Sequence, residues 1–117
     1  MKNMDWTQLS FKYSKTNTVL TCLYKDGKWG PVQSQTPDSI NLTVFSPSLH
    51  YGMSCFEGLK AFRGVDGKVR IFRPDENARR MQSSAGFLGI PCPDEELFQR
   101  MCMQAVQENI DFLPPYD

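Results

Sequence analysis

Much that would announce a function is missing from this chain. Its single histidine, His50, and its four cysteines (Cys22, Cys55, Cys92 and Cys102) are scattered and contain no C-x-x-C pair, so no set of side chains has the spacing of a metal site. Gly58, Gly64 and Gly67 match neither a dinucleotide-binding nor a P-loop spacing, and no serine nucleophile signature is present. Thirteen basic and thirteen acidic residues cancel, which removes the electrostatic footprint expected of a nucleic-acid or membrane-surface protein. No apolar run approaches the ~20 residues of a membrane span, and Met1–Thr7 lacks the apolar core of a signal peptide. These absences predict a cytoplasmic chain with reduced, buried thiols and a small metabolite as its partner.

What is present is ordinary globular material. With 40% hydrophobic and 22% charged residues in 117, the chain has the composition of one modest domain. Thr18–Tyr24 is rich in β-branched and aromatic residues and is expected as a strand, with Lys25-Asp26-Gly27-Lys28 turning after it. Asn41–Phe45 is expected as a second strand, and Pro31–Pro37 as irregular chain. Ala61–Arg63 and Val69–Phe72 flank Asp66-Gly67 and are expected to form a hairpin. Pro74 suits the first position of a helix reaching about Ala85, with Asp75 and Glu76 at its positive end and Gly86 and Gly89 marking its stop. A longer amphipathic helix runs from about Asp94 to Ile110, with Leu97, Phe98, Met101, Cys102, Ala105 and Val106 on one face. Together these elements predict an α+β fold, an antiparallel sheet with helices packed on one side.

Two places carry candidate chemistry. Arg79 and Arg80 both lie away from the helix face defined by Ala78, Met81 and Ala85, and an arginine fork suits a phosphate. The plainer reading is a solvated basic face paired with Glu76, and periodicity does not choose between the two arginines. Tyr51 and Phe56 lie in a segment of small and aromatic residues that suits either an apolar pocket wall or ordinary core packing. Glu57 is a single carboxylate without an acidic neighbour, which gives a paired acid/base mechanism no support. His50 reads as a hydrogen-bonded structural residue.

The run Leu49-His50-Tyr51-Gly52-Met53-Ser54-Cys55-Phe56-Glu57-Gly58-Leu59-Lys60-Ala61-Phe62-Arg63 resembles the N-terminal segment of branched-chain amino-acid aminotransferases, enzymes of fold type IV that use pyridoxal 5'-phosphate. Lys28-Trp29-Gly30, Asn41-Leu42-Thr43, Phe72-Arg73-Pro74, Asn77, Arg80-Met81 and Ser84-Ala85 extend the resemblance in order. It covers most of the chain, from about Asn17 to Asp117.

The resemblance implies that residues 1–117 are the small N-terminal domain of the fold-type IV architecture, incomplete and without the C-terminal domain that carries the Schiff-base lysine. Lys60 does not match that lysine. By position, Arg80 rather than Arg79 matches the arginine that holds the cofactor phosphate. Tyr51 and Phe56 match aromatic residues lining the pocket for a branched side chain, and Phe11 corresponds loosely to another wall. The implied reaction transfers the amino group of leucine, isoleucine or valine to 2-oxoglutarate, in a full-length homodimer. The 117 residues alone are expected to be inactive, and to self-associate through an unpaired sheet edge. Alternatives are a D-amino-acid aminotransferase, an aminodeoxychorismate lyase, or a non-catalytic cofactor-binding or dimerisation module.

Overall fold

The computed structural model describes residues 4–8 and 10–116. Met1–Asn3, part of the segment read for a signal peptide, lie outside the described residues, as do Leu9 and Asp117. Among the described residues six short strands are present: β1 (Val19–Thr21), β2 (Tyr24–Lys25), β3 (Lys28–Trp29), β4 (Gln33–Gln35), β5 (Ala61–Arg63) and β6 (Val69–Ile71). They are joined by a one-turn helix α1 (Pro47–His50) and two long helices, α2 (Pro74–Leu88) and α3 (Glu95–Glu108).

Helix α2 begins where its sequence says it should. Pro74 occupies the first turn with Asp75 and Glu76. Before it, Arg73 takes the left-handed conformation, at φ 46°, and folds its guanidinium back to hydrogen-bond Asp75 and Glu76. The helix passes through Gly86 and stops at Gly89, whose φ of 69° is the left-handed geometry that glycine adopts without a Cβ clash. It is therefore three residues longer than the expected end at Ala85. Helix α3 starts at its cap, where the Asp94 carboxylate accepts the Leu97 amide at 2.8 Å.

The two helices pack on each other. All the buried apolar residues among those described lie on them: Ala78 and Ala85 of α2, Leu97 and Phe98 of α3. The alanines let the helix axes approach, and Leu97 and Phe98 supply the volume. This apolar contact is small. The accessible surface is 9050 Å2, against about 6500 Å2 for a folded monomer of this mass.

The strands depart from the sequence reading in three ways. The expected strand Thr18–Tyr24 is broken at Cys22-Leu23, where the Gly30 amide donates to the Leu23 carbonyl at 2.7 Å and starts a separate hairpin. In that hairpin β2 and β3 meet across Asp26-Gly27, both at positive φ, as a two-residue turn demands. Tyr24 and Trp29 stack edge to face with ring centres 5.1 Å apart. Pro31–Pro37, read as irregular, contains β4, which pairs antiparallel with β1 in the register Val19 to Gln35. The prolines bound this strand instead of interrupting it. Asn41–Phe45, read as a strand, is a turn, with the Thr43 carbonyl accepting from Ser46 and its hydroxyl from Phe45.

The expected β5–β6 hairpin is present, pairing Ala61 with Ile71 and Arg63 with Val69. Asp66 braces its loop by accepting from the Lys68 amide and, through both carboxylate oxygens, from Arg70. The fold is thus α+β, but its strands form three separate two-stranded antiparallel ladders in place of one sheet under the helices. The cysteines also differ from expectation: all four are free and partly exposed, not buried.

Asn109, at the end of α3, joins helix to strand. Its side-chain oxygen accepts the amides of Asn17 and Thr18 at 2.9 and 3.0 Å, and its nitrogen donates to the carbonyls of Thr18 and Ala105 at 3.1 and 2.8 Å. Replacing Asp94 by alanine is expected to destabilise the chain by about 1 kcal/mol. Asn109→Ala, which strands several backbone groups, is expected to cost about 2 kcal/mol. Urea-denaturation midpoints followed by circular dichroism check both values.

Candidate functional site

The residues that precede β5 are tied to α2 by polar contacts. Asn77 and Arg80 lie three apart on α2, and so on one side of the helix. Arg80 donates to Glu57 through two nitrogens, Nε to Oε1 at 2.5 Å and Nη2 to Oε2 at 2.7 Å. The Asn77 amide nitrogen donates to Glu57 Oε2 at 2.9 Å and to the Gly58 carbonyl at 3.1 Å. The Glu57 side chain is only 6% exposed, while that of Arg80 is 67% exposed. An inner carboxylate therefore holds an outer guanidinium. The Arg80 pair comes first and the Asn77 hydrogen bond second in drawing the Glu57 carboxyl down from 4.5 to about 2. The same pairing raises the pKa of Arg80.

This geometry separates the two arginines that periodicity left equivalent. Arg79 lies among three carboxylates, Glu76 at 2.5 Å, Asp75 at 3.4 Å and Glu95 at 3.5 Å. The expected pairing with Glu76 belongs to Arg79, and an anion approaching it meets excess negative charge. Arg80 faces one carboxylate, and its Nη1 makes no hydrogen bond to any described residue. Of the two, only Arg80 keeps a terminal nitrogen, Nη1, without a hydrogen bond to any described residue, whereas both terminal nitrogens of Arg79 are engaged.

The aromatic candidates are not core residues. Tyr51 follows α1 and is 82% exposed, and Phe56 is 88% exposed, so ordinary core packing does not describe either ring. Phe11 is fully exposed and lines a cavity of about 810 Å3 with Ser10, the stretch Lys60 to Gly64, and Pro114 to Tyr116. Tyr51, Phe56 and Arg80 are not among the residues lining that cavity. What the structure brings together is Arg80, Asn77 and Glu57. His50 has the structural role expected of it, its Nε2 donating to the Val44 carbonyl at 2.5 Å.

Glu57 was the functional candidate that sequence reasoning passed over. A signal was available: the stretch from Ser39 to Phe56 contains no Asp, Glu, Lys or Arg, and Glu57 ends it. A carboxylate set in such a run needs a cation from elsewhere in the chain when it is buried. Among the described residues no cluster of His, Cys, Asp or Glu has the arrangement of a metal site, and no helix is long and apolar enough to cross a membrane.

Folding lowers the Glu57 pKa, so its contribution to stability is complete above the unfolded value of 4.5 and is lost as pH falls from there towards about 2. Glu57→Gln is expected to lower stability at neutral pH and to flatten part of this acid limb. Denaturation midpoints measured between pH 6.5 and pH 2.5 in both chains check it; parallel curves refute it.

No protein-family model matches the chain. Curated proteins do. It is 45% identical over 116 residues to a branched-chain-amino-acid aminotransferase of Haemophilus influenzae, covering 99% of this chain and 34% of that protein. To the protein of the same name in Helicobacter pylori it is 42% identical, again over 99% of this chain and 34% of the relative. To branched-chain-amino-acid aminotransferase 6 of Arabidopsis thaliana it is 36% identical over 114 residues, 97% of this chain and 32% of that protein. The chain spans about a third of the length of these relatives. Over that span it is a homologue of the branched-chain amino-acid aminotransferases.

Proposed function

We propose that residues 1–117 are the N-terminal part of a pyridoxal 5'-phosphate-dependent aminotransferase of fold type IV, which moves the amino group of leucine, isoleucine or valine to 2-oxoglutarate. The observation that carries this reading is identity of 45% and 42% to two bacterial enzymes of that name across 99% of the chain. The full enzyme is proposed to be cytoplasmic and homodimeric.

The cofactor, when bound, supplies the aldehyde that exchanges the amino group and the electron sink that makes Cα acidic. The residues here fit the part of it that must stay fixed. A phosphate ester is a doubly charged anion with oxygens spaced for a planar fork, and Arg80 offers an exposed guanidinium with free donors. Arg80 is proposed to hold that phosphate, which keeps the ring in place while bonds at its aldehyde carbon change. Tyr51 and Phe56, both exposed, are proposed to wall the substrate's branched side chain, with Phe11 as a further wall. Apolar walls separate substrates differing by one methylene by only ~1–3 kcal/mol, which agrees with acceptance of all three amino acids. The lysine that carries the cofactor is proposed to lie in a C-terminal domain beyond these residues, so they bind without turning over.

Pyridoxamine 5'-phosphate, which lacks the aldehyde and does not react with surface lysines, is a suitable probe of the phosphate site. Arg80→Ala is expected to weaken its binding by about ten- to a hundredfold, the effect of losing charge-assisted hydrogen bonds. Arg79→Ala is expected to change it less than about twofold. Equal losses in the two variants, measured by titration calorimetry, would refute the assignment. Leucine-dependent glutamate formation by the 117 residues alone would refute their inactivity. Sedimentation is expected to show self-association that grows with concentration, and a strictly monomeric chain counts against it.

A further inference from the structure

We infer that Glu57 is a positioning residue: it grips one edge of the Arg80 guanidinium and so turns the opposite edge towards a phosphate. The inference rests on the proposed role of Arg80 and adds a residue to it.

A guanidinium has five N–H groups in one plane, and they serve two distinct edges. The side edge is made by Nε and one hydrogen of Nη2; the end edge is made by Nη1 and the other hydrogen of Nη2. Glu57 takes the side edge, with Nε to Oε1 at 2.5 Å and Nη2 to Oε2 at 2.7 Å. A carboxylate on the end edge would compete with a phosphate for the same donors. A carboxylate on the side edge leaves the end edge free, and Nη1 has no hydrogen bond to any described residue.

Exposure runs in the sense this role needs. Glu57, with its side chain 6% exposed, is the fixed member, and Arg80, at 67%, is the presented one. Glu57 is itself fixed by Asn77, which holds both Glu57 Oε2 and the Gly58 carbonyl. Asn77 and Arg80 belong to the same helix, so the loop carboxylate and the helix arginine are held in one frame. Other carboxylates near the start of α2 are already engaged: Asp75 and Glu76 are bound by both Arg73 and Arg79. Without Glu57, the Arg80 side chain regains its rotamers and must be ordered again when the phosphate arrives.

Glu57 also carries a negative charge, which by itself repels a phosphate. The two effects have opposite signs, and a pair of substitutions separates them. Glu57→Ala removes both the grip and the charge. Glu57→Gln removes the charge and keeps an oxygen that can accept from Nε or Nη2. With positioning dominant, Glu57→Ala is expected to weaken pyridoxamine 5'-phosphate binding by about tenfold, and Glu57→Gln by less than about threefold. Asn77→Ala is expected to fall between them.

The test uses the full 117-residue chain, titrated with pyridoxamine 5'-phosphate, together with the Nε–H signal of Arg80 in a nitrogen-15-labelled sample. That proton is expected to exchange slowly with water in the free chain, and to keep both its slow exchange and its position when the ligand saturates. A structural role alone does not require this persistence. Tighter binding by Glu57→Ala, or loss of Nε–H protection on saturation, means that Glu57 competes for Arg80 and overturns the inference. Should Glu57→Ala fail to fold, Glu57→Gln and the Nε–H signal of the unaltered chain still decide. Undiminished binding by Arg80→Ala sinks the phosphate-site reading and this inference with it. Binding lost in Arg80→Ala and unchanged in Glu57→Ala sinks the inference alone. No binding by the unaltered chain sinks both.

Discussion

The apposition of α2 and α3 is the contact on which the other elements depend. Ala78 and Ala85 provide a small-residue stripe, and Leu97 and Phe98 of α3 bury their side chains. Burying one such large side chain is worth about 1.5–3 kcal/mol, a modest sum beside the entropy of ordering more than a hundred residues. The strands are attached to this pair by polar contacts more than by apolar burial. Asn109 joins the end of α3 to the start of β1. Glu108, the last residue of α3, accepts from the hydroxyls of Thr18 and Ser34, which lie beside or within the β1–β4 ladder. Glu57, Asn77 and Arg80 do the same for the segment leading into β5.

Such joints behave differently from a core. An apolar contact tolerates sliding, because its energy depends weakly on angle. A bidentate carboxylate–guanidinium pair fixes both distance and plane. The price of the polar joint is sensitivity to protonation. Acid removes the charge on Glu57 while leaving Leu97 and Phe98 untouched, so the tie between the loop before β5 and α2 weakens as pH falls from 4.5 towards about 2. Asp75 also has its pKa lowered to about 2, chiefly by Arg73, and behaves in the same sense.

The helices and the β5–β6 hairpin were legible in the sequence because their signals are local. Pro74 with Asp75 and Glu76, the spacing of Leu97 and Phe98, and Asp66-Gly67 each act within one turn of chain. The turn at Asp26-Gly27 was legible for the same reason, but the β1–β4 ladder was not, because it pairs residues distant in sequence. Gln33–Gln35 has no β-propensity to recommend it and is a strand because β1 lies beside it. Asn41–Phe45 has that propensity, yet Thr43 turns the chain there with its own hydroxyl and carbonyl. The arginine pair shows the same limit. Nothing in the helical period distinguishes Arg79 from Arg80; the distinction comes from Glu95 on the next helix and Glu57 on a preceding loop.

That distinction bears on how a lightly packed domain fixes a cation at its surface. A guanidinium that is 67% exposed has few neighbours to restrict its rotamers by packing. A carboxylate on the same helix shares the helix's frame alone, and Arg79 with Glu76 is such a pair. Glu57 comes from another segment, so its grip on Arg80 defines the guanidinium plane relative to two elements at once. The residues that follow it, Gly58 to Lys60, lead directly into β5. The approach to that strand and the arginine are therefore joined through one carboxylate. The same three side chains thus connect Arg80, the proposed holder of the phosphate, to the segment that leads into the hairpin.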